Sequence, residues 1–398
     1  MKKSALFSVL VTLNFFQCSS LQKGSHLPTV VLVSIDGYRH DYTELYHPPH
    51  LEALKNEGLQ ANLLPVYPSK TFTNHYSIAT GLYPENHGIV ANSFYDPERK
   101  AAYHMYDTKA VKDGSWYRGE PIWVTAEKHH IKTATYFWPA SEAAIQEIRP
   151  TYWYQYNKST SHQQRIQQVQ KWLELPESQR PHLILLYFSD VDDASHRKGP
   201  SQLADPIARV DRSIGELHAL VTQHQAELFV VSDHGMEHPQ EIVYLDPSID
   251  LTGVRIEGMG TQMLLYFDHP QAIAKTLTKL NQKSQGHYHA FLRSEMPSRY
   301  HYAKNPRAGD IVIIAQSPYW IAIKEPKKFP QGDHGYDPDT TSSMQGIFYA
   351  SGPHLQKKKK IPPFRNIHIY PLILQLLKIH PSHKIDGNPE VLAPYLNE

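Results

Sequence analysis

Three short apolar runs in this chain each stop at an aspartate. Val30 to Ile35 leads into Asp36-Gly37, and Leu228 to Val231 into Ser232-Asp233-His234-Gly235. Leu183 to Phe188 leads into Ser189-Asp190, with Asp192 and His196 just beyond. Such runs are too short for core helices and show no polar alternation, so they read as strands buried on both faces of a parallel sheet. Ligands in open parallel sheets gather beyond the carboxyl ends of the strands. Carboxylates and imidazoles at three such ends, joined by a later Gly332-Asp333-His334-Gly335, predict a metal site and not only a fold.

Length and charge narrow the field. The 398 residues suffice for one large α/β domain or two ordinary ones, and a formal net charge of +1 gives no general attraction to nucleic acid or anionic membrane. Histidine is abundant, at 25 residues, so a histidine counts as a ligand only when its neighbours argue for it. Met1-Lys2-Lys3 followed by the apolar stretch Ser4 to Phe16 reads as a secretory signal over residues 1–25. It falls short of the roughly 20 apolar residues of a membrane span. Export to a periplasm or cell surface is the expectation. Cys18, the only cysteine, sits where a bacterial lipoprotein carries its lipid, which makes it a candidate anchor, although Phe15-Phe16-Gln17 fits a lipobox poorly. Without Cys18 the chain has no cysteine and no intramolecular disulfide.

Residues 28–398 read as a single catalytic domain. Pro48-Pro49 precedes a helical pattern carrying Leu51, Leu54 and Leu59. Ser69-Lys70-Thr71 reads as a loop entering a helix at about Thr71 to Asn74, where free N–H groups favour an anion. Residues 93–117 look loop-like and polar, Pro121 to Lys128 helical, and Thr133 to Trp138 a strand. Leu203, Ile207, Val210, Ile214, Leu217 and Leu220 recur at helical spacing, so the second and third strands form a βαβ unit. From about 241 to 330 strands and helices mix, which reads as an inserted cap containing the strand Ile311 to Ala315. Lys357 to Lys360 reads as a solvated surface turn and Ile367 to Leu377 as a closing helix.

A lone strand-end aspartate is ordinarily a helix cap. Asp192-x-x-x-His196, Asp233-His234 and His334 in combination are different, because these oxygens and nitrogens suit zinc. The segment Phe72-Thr73-Asn74-His75-Tyr76-Ser77-Ile78-Ala79-Thr80-Gly81-Leu82-Tyr83-Pro84-Glu85-Asn86-His87-Gly88-Ile89 closely resembles the signature of the nucleotide pyrophosphatase/phosphodiesterase family, within the alkaline phosphatase superfamily. Gly119 to Trp123, Ile148 to Trp153, Ser232 to Met236, His301 to Arg307 and Gly332 to Tyr336 extend the resemblance over about residues 29–380.

The resemblance implies an α/β, alkaline-phosphatase-like core: a mostly parallel central sheet with helices on both faces and a smaller inserted α+β cap. It implies two Zn2+ ions, one held by Asp192, His196 and His334, the other surrounded by Asp36, Asp233, His234 and the nucleophile Thr71. Asn92 matches the asparagine that donates to a phosphoryl oxygen. Phe72, Tyr156 and Tyr187 match aromatics that flank the leaving or nucleoside group. Two departures are visible. Ser189-Asp190-Val191-Asp192-Asp193-Ala194-Ser195-His196 replaces a Glu-Glu-Pro-Asp-Ser-Ser-Gly-His type of run, and Thr73 stands where proline is common. The Asp…His spacing survives, while the substrate-facing surface there changes.

A threonine hydroxyl is a weak nucleophile at neutral pH, and a bound cation lowers the pKa of a ligated oxygen, to about 7 for zinc-bound water. The expected reaction is therefore attack by Thr71 on a phosphodiester, a phospho-threonine intermediate, and hydrolysis. The expected substrate is a nucleotide pyrophosphate or diester. A choline or lysophospholipid diester competes for the same site, since aromatics also suit a choline pocket. A non-catalytic zinc-binding scaffold would predict a lost ligand or nucleophile, and all seven positions are filled.

Overall fold

The computed structural model describes residues 27–397. The signal segment 1–25 and Cys18 lie outside the described residues.

The three apolar runs pair side by side. Val30–Ile35 lies between Leu183–Phe188 and Glu227–Val231, parallel to both. Val30 stands opposite Leu183 and Glu227, and Ser34 opposite Tyr187 and Val231. This register ends all three strands at one edge, so Asp36, Asp192 and Asp233 are delivered together. Thr133–Tyr136 and Tyr152–Tyr154 continue the parallel sheet on one side. On the other, Gly346–Ser351 runs antiparallel to Glu227–Val231 and to Leu59–Leu64. Lys359–Lys360 and Phe364–Arg365 complete a nine-stranded, mostly parallel sheet.

Alternate residues of the central strands feed two cores. Val31, Val33, Ile184, Leu186, Leu228 and Val230 pack beneath the helices Pro49–Glu57, His162–Leu173 and Ala204–Gln223. Leu32, Leu183, Leu185 and Phe229 face the opposite layer, with the helices Thr71–Thr80, Ile122–Lys128 and Ile369–Leu376. With helices on both sides, the strands lose any polar face, and this is the reason for their unbroken apolar sequence.

Residues between 241 and 330 build separate small sheets. Val254–Glu257, Gln262–Phe267, Ile311–Ala315 and Tyr288–Leu292 form a four-stranded antiparallel sheet. Leu280, from the helix Ile273–Lys283, shares a third core with Met263, Leu265, Ile311 and Ile313. Glu241–Tyr244 pairs with Tyr319–Ala322.

Several local expectations need correction. Leu59 belongs to a strand, not to the preceding helix, which stops at Glu57 where Gly58 fits against the Ala350 carbonyl. The stretch 93–117 is structured: Ser93–Asp96 pairs with Ala101–His104, and a short helix, Thr108–Lys112, follows. Its polar sequence hid two facing apolar residues, Phe94 and Tyr103, whose rings stack at 5.0 Å. Lys359 and Lys360 are exposed, yet their backbone adds a short edge strand beside Leu59 and Gln60. The strand from Thr133 ends at Tyr136, because Phe137 adopts a left-handed φ of 72°.

One buried ion pair ties this hairpin to the small sheet. Arg307 Nε donates to Asp96 Oδ2 at 2.7 Å, and Arg307 Nη1 donates to the carbonyls of Gly88 and Trp116. Both charged side chains are about 2% exposed. Arg307→Ala removes the cation from the buried Asp96 carboxylate and leaves it only the backbone N–H groups of Glu98 and Arg99, and is expected to lower unfolding free energy by about 3 kcal/mol in chemical denaturation. Arg307→Lys should recover only part of this, since one ammonium cannot span the same three acceptors.

Candidate active site

The helix Thr71–Thr80 opens at the strand edge. Asn74, one turn in, fixes its entry: Asn74 Oδ1 accepts from Val66 N, and its amide nitrogen donates to the carbonyls of Pro68 and Lys70. Thr71 is thereby placed at the first turn, buried, with Oγ1 3.3 Å from His234 Nε2. Asp192 and His196 lie on the helix Asp190–Lys198, four residues apart and so on one face. His196 Nε2 is 3.4 Å, and His334 Nε2 3.6 Å, from Asp192 Oδ1. His234 Nε2 lies 3.3 Å from Asp36 Oδ1 and 3.0 Å from Asp233 Oδ2. The His234 and His334 rings stack at 3.6 Å. All seven residues named from sequence are thus neighbours.

Two ligand groups separate by distance. Asp192, His196 and His334 form one, and Asp36, Asp192 and His234 form the other, each with ligand atoms within 4.8 Å of one another. Asp192 is common to both, and Asp233 adjoins the second through His234.

Two features fit these groups to cations. First, each histidine uses Nδ1 to donate to a backbone carbonyl: His196 to Gly332 at 2.8 Å, His234 to Gly235 at 2.8 Å, and His334 to Ser69 at 2.7 Å. In the neutral ring this leaves the Nε2 lone pair facing the cluster, the tautomer a metal requires. Second, Asp36 Oδ1, Asp192 Oδ1 and Asp233 Oδ2 are buried without any hydrogen-bond partner. Buried carboxylate oxygens are not left unpaired without cost, and positive charge among them would remove that cost.

The carboxylates also disturb one another's protonation. Burial, reinforced by the charges of Asp233 and Asp192, raises the Asp36 pKa well above the carboxylate range. Burial acts on Asp233 too, but His234 and His75 outweigh it and push its pKa down. For His196, burial is outweighed by Asp192, and the pKa rises to about 9. Burial and the neighbouring His234 hold His334 well below the ordinary imidazole value.

Asn92 Oδ1 accepts from the Phe72 backbone N–H at 2.9 Å. That contact leaves its amide nitrogen as a donor. Tyr187 is buried, and its hydroxyl donates to Asp36 Oδ2 at 2.5 Å, while its ring meets Tyr156 at 6.2 Å. Tyr156 is 41% exposed and Phe72 half-buried. Asp190, at the end of the second apolar run, turns away from the cluster and accepts from His162 Nε2 at 2.8 Å.

Sequence reasoning missed a supporting group. His75 is fully buried, donates from Nδ1 to the Thr71 carbonyl, lies 3.3 Å from Asp233 Oδ2, and shares a hydrogen bond with Ser34 Oγ at 2.8 Å. Its position four residues after Thr71 was the available signal. Lys70 and Asp333 form another pair at 3.2 Å, and Asp333 also accepts from Trp320 Nε1 and from the His334 N–H. Gly37, at φ 67°, lets the first strand pass Asp192 closely, since a Cβ there would sit 3.0 Å from Asp192 Cα.

Comparison with known proteins accords with this geometry. A family model described as type I phosphodiesterase / nucleotide pyrophosphatase matches residues 30–337. Venom phosphodiesterase 2 of Crotalus adamanteus is 36% identical over 375 residues, covering 89% of this chain and 46% of that protein. Ectonucleotide pyrophosphatase/phosphodiesterase family member 1 of Mus musculus is 35% identical over 377 residues, covering 89% of this chain and 41% of that protein. The chain thus spans less than half the length of these relatives. Among solved structures, murine ectonucleotide pyrophosphatase / phosphodiesterase 5, in an inactive threonine-to-alanine form in complex with AMP, superposes with a TM-score of 0.87. It is 26% identical, and the match covers 93% of this chain and all of that one.

The Tyr187 hydroxyl makes a prediction. Tyr187→Phe removes the donor to Asp36 and is expected to weaken divalent-metal binding about tenfold to a hundredfold, measured by chelator competition. A raised substrate KM with unchanged metal affinity would instead assign Tyr187 to the substrate alone.

Proposed function

This chain belongs to the type I phosphodiesterase / nucleotide pyrophosphatase family, and we propose that it hydrolyses nucleotide pyrophosphates and phosphodiesters to nucleoside monophosphates. The observation that carries this reading is Thr71 Oγ1 at a helix N-terminus, beside His234, whose Nε2 faces buried carboxylate oxygens of Asp36 and Asp233 that lack a hydrogen-bond partner. A hydroxyl so placed can meet a phosphodiester whose negative charge the helix start favours.

In the proposed course Thr71 Oγ1 attacks phosphorus and the leaving group departs with the bond's electron pair. The phospho-threonine ester is then hydrolysed by water. Asp192, His196 and His334 would hold one zinc ion, and Asp36, Asp233, His234 and Thr71 would surround a second. Bound zinc would supply positive charge that neutralises the carboxylates and the phosphoryl oxygens and lowers the pKa of the nucleophile. Asn92, anchored through Oδ1 to Phe72 N, donates from its amide nitrogen to an equatorial phosphoryl oxygen. Phe72, Tyr156 and the ring of Tyr187 flank the nucleoside, where base stacking recovers apolar area. His75 positions the Thr71 carbonyl and Asp233, so it orients the nucleophile's turn without touching substrate. Residues 28–398 act as one catalytic unit, exported by the segment 1–25. Among the described residues no helix is long and apolar enough to cross a membrane.

Thr71→Ala is expected to lower turnover by about four orders of magnitude or more while leaving zinc content near normal, since Asp36, Asp233 and His234 remain. The companion assay compares ATP, a dinucleotide, lysophosphatidylcholine and a phosphate monoester on zinc-loaded protein, with products resolved. AMP plus pyrophosphate from ATP is the expected outcome. Phosphocholine or a lipid product with silent nucleotides would move the protein to lipid diesters, and undiminished activity in Thr71→Ala would remove the nucleophile assignment.

A further inference from the structure

A second cavity, of about 450 Å³, opens between the start of the helix His162–Leu173 and the flank of Ala204–Gln223. Its lining carries four permanent cations, Lys158, Arg165, Arg209 and Arg212, against two carboxylates, Asp190 and Glu216. Asp190 is already engaged by His162 Nε2 at 2.8 Å and by Arg209 Nε at 3.5 Å. Lys158 is held by Asp193 at 2.7 Å. Among the described residues, the ion pairs of the lining side chains are those of Lys158 with Asp193 and of His162 and Arg209 with Asp190, and Arg212 is exposed.

Arg165 separates this cavity from an ordinary basic surface. It is 3% exposed, flanked by the rings of Phe137 and Phe188, and cannot shed its proton. Its Nη atoms donate only to neutral acceptors, the carbonyls of Tyr187 and Thr160. Its Nε is buried with no acceptor at all. No carboxylate is hydrogen-bonded to this charge; Asp190, which acts on it through space, is shared with His162 and Arg209, so positive charge is left in excess at the adjoining cavity. The helix start adds to it. Ser161 Oγ caps the Gln164 N–H, whereas the N–H groups of His162 and Gln163 have no intrahelical acceptor and lie in the cavity wall.

We propose that this cavity is a second oxyanion site, which takes a phosphate group apart from the metal-bearing edge. Its wall is continuous with that edge. Asp190 begins the helix that carries Asp192 and His196, and Lys158 clamps Asp193 of the same helix. Arg165 meanwhile holds the carbonyl of Tyr187, whose hydroxyl reaches Asp36. The phosphate can come from the distal end of an extended substrate or from free inorganic phosphate. The inference needs neither the nucleotide reading nor turnover.

The test titrates inorganic phosphate calorimetrically into the zinc-loaded full-length protein and into the double variant Arg209→Ala/Arg212→Ala. Two classes of site are expected in the wild type, with one lost or weakened about tenfold or more in the variant, because Arg–phosphate contacts are charge-assisted. Hydrolysis of bis-p-nitrophenyl phosphate, which has no distal phosphate, should be unchanged and reports that the variant is folded. A raised KM for ATP in the variant assigns the site to the substrate's distal phosphates; an unchanged KM assigns it to free phosphate. One class of site in the wild type, or the same two classes in both proteins, overturns the proposal. Loss of all hydrolysis in both proteins with the two-class difference intact would fail the catalytic reading and leave this one standing.

Discussion

The site is governed by the burial of carboxylates that the sheet forces together, reinforced by their mutual repulsion. Asp36 and Asp233 end neighbouring parallel strands, and Asp192 follows the strand on the other side. All three are brought out of water with an oxygen that finds no donor. Two buried like charges cannot both ionise freely: burial and the neighbouring carboxylates displace the Asp36 pKa upward, while His234 and His75 displace that of Asp233 downward. Cations resolve this conflict more completely. The fold therefore stores an affinity for positive charge at this edge of the sheet.

The imidazoles are held for that purpose from behind. Gly332, Gly235 and Ser69 each offer a carbonyl to an Nδ1. These acceptors belong to loops far apart in sequence, and they are fixed by close backbone packing. Gly332 approaches the Ser195 carbonyl, and Gly235 the Ser343 carbonyl, too closely for any side chain. Glycine at these positions is a steric requirement. It allows loops from opposite ends of the chain to converge on three rings whose outer nitrogens are committed and whose inner nitrogens are not.

Much of this was legible in the linear sequence for physical reasons. Parallel strands covered on both faces must be continuously apolar, so their ends could be located and the aspartates at those ends picked out. The four-residue spacing of Asp192 and His196 specifies a shared helix face. Other features were opaque. The strand containing Leu59 alternates like a half-buried edge and looked like the tail of a helix. The hairpin at 93–104 is held by Asp96 and Arg307, partners 211 residues apart, and no local pattern announces such a pair. Asp190 ended an apolar run as convincingly as Asp36 did, yet it serves His162 and Arg209, because the chain turns into a helix at that residue.

The sequence by itself determined the parts: apolar strands that must be buried, polar ends that must emerge at one edge, and a hydroxyl, carboxylates and imidazoles of the types that suit a metal. Those follow from periodicity and from the chemistry of single side chains, which do not depend on distant neighbours. Only the tertiary structure decided the arrangement: that Asp192 stands between two ligand groups, that Tyr187 gives its hydroxyl to Asp36, that His75 supports the Thr71 turn, and that Arg165 is buried with no carboxylate hydrogen-bonded to it beside the cavity at the start of the helix His162–Leu173. These are relations between residues far apart in the chain. They depend on strand register and helix packing, and register is fixed by burial of the whole sheet, which no single segment encodes.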